Sequence, residues 1–102
     1  YVTNTGSNTV SIINGTTNAL VETIPAGLGP NGLTYNQNNG DVYVANSING
    51  TISVINGLTN IVYSTIPIGI NNNPNGISYN STNNTLFTTN SNSNTVSVVK
   101  NK

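Results

Sequence analysis

Short segments rich in Val, Ile, Thr and Tyr recur along the whole chain, and Asn and Gly separate them. Short runs of β-branched and aromatic residues between turn residues are typical of β-strands. No segment carries apolar residues at the i, i+3, i+4 and i+7 positions of an amphipathic helix, and the helix formers Ala, Leu, Glu and Lys are scarce. The pattern therefore predicts an all-β protein.

Four consecutive strands are predicted in the middle of the chain, over residues 32–36, 42–46, 51–55 and 61–66. Asn39-Gly40 and Asn49-Gly50 separate the first three strands, and Asn56-Gly57 opens the loop to the fourth. Asn-Gly favours a two-residue type I′ hairpin turn because both residues tolerate positive φ. We therefore expect a four-stranded antiparallel meander. By analogy with other such units, we place the strand at 32–36 innermost, where its neighbouring Pro and Gly suit a crowded axis.

The same segments return at a nearly constant spacing. Tyr1-Val2-Thr3-Asn4 aligns with Tyr43-Val44-Ala45-Asn46 and then with Phe87-Thr88-Thr89-Asn90, at offsets of 42 and 44 residues. The two additional residues fall in the Asn run at 71–73. A period near 42 residues with four strands per unit indicates β-propeller blades, which are four-stranded antiparallel meanders.

Both faces of a propeller blade pack against neighbouring blades, so its strands are expected to lack a strictly polar face. The strand at 51–55 fits this expectation, because Ile52 and Val54 alternate with Thr51, Ser53 and Ile55 on the opposite face.

The number of strands predicts an incomplete ring. We expect one domain over 1–102 with three strands of one blade, four of the next and three of a third, in parts of about 1–27, 28–69 and 70–102. Because propellers close with about four to eight blades, about two and a half blades form an open segment of a larger ring or assembly. Either the chain is a piece of a longer propeller, with Tyr1 at a cut or processing site, or its copies associate into a ring or a fibre.

Composition and charge limit the classes of partner that the protein is expected to bind. Asn, Thr and Ser make up 48 of the 102 residues, and the only charged residues are Glu22, Asp41, Lys100 and Lys102. Nucleic-acid binding draws on Lys and Arg that neutralise phosphates, so we expect no nucleic-acid partner and no docking on anionic lipid. No apolar run approaches the roughly 20 residues that span a bilayer, and membrane insertion is not expected.

The side chains also offer little chemistry. Glu22 and Asp41 are the only acids, and both are expected at the surface, where they would aid solubility. Without His or Cys, the usual ligands of zinc, copper and haem are missing, no Ser has an activating base, and a calcium site at Asp41 would have one carboxylate. We therefore predict no enzyme and no catalytic, cofactor or metal site.

Two sets of Asn residues stand out. Asn4, Asn46 and Asn90 occupy equivalent repeat positions, where a structural bond to the Asn's own backbone or a turn cap is favoured over a sugar-binding ladder. Candidate N-glycosylation sites occur at Asn14, Asn49, Asn80 and Asn83. Four sequons are no enrichment in a chain with 23 Asn and 25 Ser or Thr.

The units resemble the YVTN family of β-propeller repeats. The resemblance is carried by Tyr1-Val2-Thr3-Asn4, by the following segment 7–13, by a Thr-Ile-Pro strand and by Gly29-Pro30-Asn31-Gly32. It covers the whole chain, although Phe87 and Thr88 replace Tyr and Val in the third unit. The resemblance implies a surface-layer-associated protein that is secreted or held at the cell surface.

These observations favour a non-enzymatic repeat module with a structural, adhesion or binding role, without a cofactor. Its expected partners are other blades or copies of itself, and carbohydrate or surface proteins. The alternative is a fragment of a propeller enzyme, such as a lyase or a quinoprotein-like oxidoreductase, with its catalytic residues outside this chain. A third possibility, DNA association, conflicts with the lack of positive charge.

Overall fold

The computed structural model describes residues 1–100 and contains three antiparallel sheets and no helix in that range. Its strands are β1 (Val2–Asn4), β2 (Thr9–Ile13), β3 (Leu20–Pro25), β4 (Pro30–Tyr35), β5 (Val42–Asn46), β6 (Thr51–Asn56), β7 (Ile61–Pro67), β8 (Pro74–Asn80), β9 (Thr85–Asn90) and β10 (Thr95–Lys100). Sheet 1 has the order β1-β2-β3, sheet 2 β4-β5-β6-β7 and sheet 3 β8-β9-β10. The predicted all-β fold of partial propeller blades in an open arrangement is confirmed. Within residues 1–100, no helix is long and apolar enough to cross a membrane.

The strands of sheet 2 lie close to their predicted positions. β5 has the predicted bounds, β6 and β7 each extend one residue further, and β4 begins two residues early, at Pro30. Pro30 pairs with Asn46 and Leu33 with Val44, so the intervening Asn31 and Gly32 form an irregularity in the ladder. The same irregularity recurs in sheet 3 between Pro74 and Ile77. Each Pro-Asn-Gly segment is thus part of the strand and not of the loop before it.

The prediction of two-residue type I′ turns is wrong. Asn46 pairs with Thr51, which leaves four residues in the loop, and the Gly50 N–H donates to the Asn46 carbonyl at 3.1 Å. Gly50 has a positive φ of 66°, whereas Asn49 is not left-handed. A four-residue loop needs one left-handed residue, at its end, so Asn-Gly supplies a single positive φ here instead of two.

The apolar residues form two core clusters, one on each side of sheet 2. Cluster 1 joins sheets 1 and 2, and its buried members are Val10, Ile24, Val42, Val44 and Ile55. Cluster 2 joins sheets 2 and 3, and its buried members are Tyr43, Ile52, Val54 and Leu86. Every residue of β5 is buried, because neighbouring sheets cover both of its faces. This is the double-sided packing that the sequence predicts for a blade.

The first strands of sheets 2 and 3 approach each other closely. A Cβ placed on Gly32 in β4 would lie 2.4 Å from the carbonyl oxygen of Asn75 in β8. Only a residue without a side chain fits between two backbones at this separation. The contact agrees with the expected innermost position of β4.

The departures from the repeat in sheet 3 have a local cause. Thr88 and Thr89 replace the Val and Ala of the equivalent positions in β5. The Thr88 hydroxyl donates to the Gly76 carbonyl at 2.9 Å, and the Gly76 N–H donates to the Thr89 hydroxyl at 3.0 Å. These hydroxyls therefore satisfy backbone groups that the irregular pairing of β8 leaves outside the ladder.

Candidate functional site

Asp41 is not a surface residue. Its side chain is only 5% exposed, which contradicts the expectation that both acids serve solubility. The Asp41 carboxylate accepts hydrogen bonds from the Tyr63 hydroxyl and, at 3.1 Å, from the Asn39 amide, while the Asp41 N–H donates to Asn39 Oδ1. These donors replace the water that a buried carboxylate loses.

A network of tyrosines and amides continues from Asp41 through the neighbouring residues. Asn36 donates to the Tyr43 hydroxyl at 3.1 Å, and both residues are buried. The ring of Tyr43 stacks on that of Tyr79 with 6.2 Å between the centroids, and the Tyr79 hydroxyl donates to Asn84 at 2.6 Å. This network, which we call the Asp41 network, connects sheets 2 and 3 beside cluster 2.

The Asp41 network changes the acidity of its tyrosines. The hydrogen bond from Tyr63 to Asp41 raises the pKa of Tyr63 to about 12, with a smaller contribution from burial. Burial also raises the pKa of Tyr43. A carboxylate that accepts a hydrogen bond from a phenol disfavours loss of the phenolic proton, because the phenolate would place a second negative charge beside it. Both phenols therefore remain protonated around neutral pH.

The sequence carries a signal for this network that the repeat pattern alone does not reveal. Tyr63 stands where the first unit has Val21, and Asp41 stands where the third unit has Thr85. Both departures from the repeat occur in the second unit, and their side chains bond to each other. Neither residue follows the repeat pattern, so their contact is a feature of the second unit.

Glu22 lies apart from Asp41, on the outer strand of sheet 1, and is exposed. It lines a groove of about 270 Å³ between β3 and β7, together with Ile24, Pro25, Asn60, Ile61 and Val62. We call this the interblade groove. Its walls are largely apolar, and Glu22 and Asn60 supply its polar side chains.

An exposed tyrosine lies next to the groove. The Tyr1 hydroxyl donates to Asn60 Oδ1 at 3.2 Å, which places Tyr1 beside a groove residue. Burial raises the pKa of Tyr1, with a smaller contribution from the Tyr35 phenol. Tyr1, which is exposed, thus extends the groove with aromatic surface.

Metal ligands do not converge in this structure. Within residues 1–100, no three side chains of the His, Cys, Asp and Glu types form a group that could hold a metal ion. Asp41, the acid considered for calcium, has Tyr63 and Asn39 as its donors instead.

The repeated Asn residues link two strands in each sheet. The Asn46 amide donates to the hydroxyls of Thr51 at 3.0 Å and Ser53 at 2.9 Å. Asn4 and Asn90 make the same pair of bonds to the equivalent Thr and Ser. These bonds cross to the next strand. They do not return to the Asn's own backbone, although a bond to that backbone is one of the two geometries that the sequence pattern favours.

That backbone bond occurs at a different set of Asn residues. The side-chain oxygens of Asn14, Asn36, Asn56 and Asn80 each accept the N–H of the residue two positions later, at 2.8–3.0 Å. All seven hairpin turns in residues 1–100 therefore start with Asn, and the fifth residue of each turn is a left-handed Asn or Gly. Hairpin turns thus account for much of the Asn content.

The candidate glycosylation sites differ in exposure. Asn14, Asn80 and Asn83 are exposed, whereas Asn49 is half-buried. The Thr hydroxyl of the Asn49 sequon already donates to Asn49 Oδ1 at 3.0 Å, and the Thr85 hydroxyl of the Asn83 sequon donates to the Asn83 carbonyl at 3.1 Å. Asn14 and Asn80 accept turn N–H groups through their side-chain oxygens. N-glycosylation of these four residues stays a prediction.

The two outer sheets each have one apolar face that no neighbouring sheet covers. On sheet 1, Val2 is 47% and Ile13 is 44% exposed, although the equivalent Val44 and Ile55 of sheet 2 are fully buried. We call this the leading face; it also carries Asn4 and Leu20.

On sheet 3, Val96 and Val98 are 59% and 60% exposed, although the equivalent Ile52 and Val54 are almost fully buried. We call this the trailing face; it also carries Phe87.

Comparison with known families gives a match to a repeat family. The NHL repeat model matches residues 28–55, which contain β4, β5 and most of β6. No curated protein matches the chain. Together with the three antiparallel sheets, the NHL match identifies a β-propeller-type repeat protein.

Proposed function

We propose that this propeller-type repeat module is non-enzymatic, lies outside the cell or at its surface, and binds carbohydrate in the interblade groove. The position of Asp41 carries this proposal. Acid–base catalysis uses two titratable groups that face one site, but the Asp41 carboxylate is buried and hydrogen-bonded within sheet 2. Glu22 is therefore the acid that remains free to meet a ligand in the groove.

The groove has the chemistry that recognises a neutral sugar. The Glu22 carboxylate accepts hydrogen bonds from hydroxyl groups, and the Asn60 amide donates and accepts. Tyr1 provides an exposed ring with an apolar body and a polar tip, a combination that is common at binding surfaces. Residues 1–99 contain no Lys or Arg, so no basic side chain lines the groove to attract a phosphate or sulfate group. We therefore expect uncharged glycans to bind in preference to acidic ones.

The location is supported by the resemblance of the units to YVTN repeats, which are associated with surface layers. The polar but nearly uncharged composition is compatible with this setting. Fractionation of cells that express the natural reading frame tests the location. Recovery in the culture medium or the envelope fraction supports it, and recovery in the cytosol contradicts it.

A glycan microarray tests the binding site. The labelled 102-residue chain is expected to bind at least one neutral glycan, and Glu22→Ala and Tyr1→Ala are expected to weaken binding about tenfold or more. Ile48→Ala is the matched control, because Ile48 is an exposed residue of the turn between β5 and β6 and does not line the groove. The proposal fails if no neutral glycan binds, if Ile48→Ala weakens binding equally, or if the chain is retained on heparin at moderate salt.

A further inference from the structure

The leading and trailing faces are the two halves of an interface that the molecule already forms twice. The leading face is equivalent to the side of sheet 2 that packs on sheet 1, and to the side of sheet 3 that packs on sheet 2. The trailing face is equivalent to the side of sheet 1 that packs on sheet 2, and to the side of sheet 2 that packs on sheet 3. Each open face therefore has the surface that the other one accepts.

Individual positions show this correspondence. At the junction of sheets 1 and 2, Ile12 packs against cluster 1, which contains Ile55. At the junction of sheets 2 and 3, Val54 and Val99 occupy the same two repeat positions; Val54 belongs to cluster 2, and Val99 packs against it. At the open faces these positions are taken by Val98 and Ile13, both exposed. A trailing face laid on the leading face of another copy would bring Val98 and Ile13 together.

Charge does not oppose this contact. Lys100, at the end of β10, is the charged residue of the trailing face within residues 1–100, and the leading face carries no charged residue. Asn4 is half-buried on the leading face, whereas the equivalent Asn46 and Asn90 are buried inside the two internal junctions. Contact with another copy would place Asn4 in the environment of its two equivalents.

The number of sheets decides how many copies close a ring. Each copy supplies three sheets, and propellers close with about four to eight blades. Six is the only multiple of three in this range. We propose that two copies of the 102-residue chain pair head to tail, trailing face on leading face at both seams, into a six-bladed ring with twofold symmetry.

Each seam of this ring is smaller than an internal junction. Within residues 1–100, sheet 1 contains no strand equivalent to β4, and sheet 3 contains none equivalent to β7. The apolar residues of the middle strands, Val2 and Ile13 on one side and Val96 and Val98 on the other, remain available at each seam. Two such seams form together, so loss of either face weakens both.

Native mass spectrometry and size-exclusion chromatography with light scattering test the proposal. The expected species is a dimer of twice the 10.6 kDa chain mass. Val98→Asp is expected to raise the dimer dissociation constant about 100-fold, because it places an unpaired charge in an apolar seam. Leu58→Asp is the matched control, since Leu58 is 92% exposed in the turn between β6 and β7, away from both faces. Circular dichroism checks that each variant keeps its β-structure.

Mixing two variants tests which faces meet. Val98→Asp and Ile13→Asp are each expected to be monomeric, because each change places Asp in both seams of a homodimer. A mixture of the two is expected to form a heterodimer, because one of its seams then has two wild-type faces. If Ile13→Asp alone still dimerises, the trailing faces pair with each other and the proposal is wrong.

Monomers at high concentration, open-ended polymers or a trimer would also overturn the proposal. The inference rests on the propeller module but not on its location or its ligand. The interblade groove lies between sheets 1 and 2 of one copy, away from both open faces. Failure of assembly therefore leaves the glycan test intact, and failure of glycan binding leaves the assembly test intact.

Discussion

At the residue scale, asparagine performs three separate tasks. It accepts a backbone N–H at the start of four hairpin turns, it donates to two hydroxyls at the start of the other three, and it adopts a left-handed conformation at the end of five. The two remaining hairpin turns end with Gly40 and Gly50. Asn suits these positions because its short polar side chain bonds locally and tolerates positive φ.

Asn46→Ala is expected to destabilise the protein by about 2 kcal/mol. The change removes two hydrogen bonds and leaves the buried Ser53 hydroxyl without its amide donor. Asn14→Ala is the control, because it removes turn bonds at an exposed site where water replaces them, and about 0.5 kcal/mol is expected. Urea denaturation at one protein concentration measures both changes, and equal losses would contradict this account.

Tyr63→Phe is expected to change how stability depends on alkaline pH. The pKa of Tyr63 rises from 10.0 to about 12 on folding, so its contribution to stability is complete below pH 10 and is lost as the pH rises through 12. The stability difference between wild type and Tyr63→Phe should therefore shrink between pH 10 and 12. Tyr35 is about as exposed as Tyr63, and Tyr35→Phe is the control for removal of a phenolic hydroxyl at similar exposure. Rapid denaturant unfolding at each pH gives the curves, and a parallel profile for Tyr63→Phe would contradict the role of Asp41.

At the element scale, the sequence predicts the strands well because their signal is local. Alternation and the 42-residue period place β5, β6 and β7 within one residue of their observed bounds. The turn type was missed because Asn-Gly is compatible with one or two left-handed residues, and the strand register decides between them. The burial of Asp41 was missed because it depends on Tyr63, 22 residues away, and single positions do not report such a contact.

Gly32→Ala is expected to destabilise the protein by about 2 kcal/mol or more, because the new methyl group meets the backbone of β8. A methyl group on Gly15 would have no atom within 4 Å, and Gly15 has no positive φ, so this glycine is the control. Gly15→Ala is expected to be neutral or slightly stabilising, within about 1 kcal/mol. Thermal unfolding compares the two variants, and an equally mild effect at Gly32 would show that β4 and β8 separate easily.

At the scale of the whole molecule, packing between sheets depends on apolar side chains and amides, with hardly any charge. Sheet 2 is covered on both faces, whereas sheets 1 and 3 are each covered on one. Val2, Ile13, Val96 and Val98 are exposed on the open faces, whereas the equivalent residues of sheet 2 are buried. We expect the protein to become more stable when another copy covers these faces, and we expect changes in these faces to alter its association.

Dimerisation is expected to respond weakly to salt. Four charged side chains in 102 residues leave little electrostatic energy for added ions to screen. Raising NaCl about tenfold should change the dissociation constant by about twofold or less. Sedimentation equilibrium at low and high salt measures the change, and a tenfold weakening would indicate that ion pairs hold the seam.

The equivalence of the sheet junctions has a consequence for how the gene evolves. A unit that offers its successor the same surface that it accepts from its predecessor can be copied in the gene and appended without inventing a new kind of contact. The spacing of 44 residues between the second and third units, against 42 between the first and second, shows that the connecting loop tolerates changes in length. Lineages that carry such a gene are free to gain or lose units by recombination while each surviving unit keeps its fold.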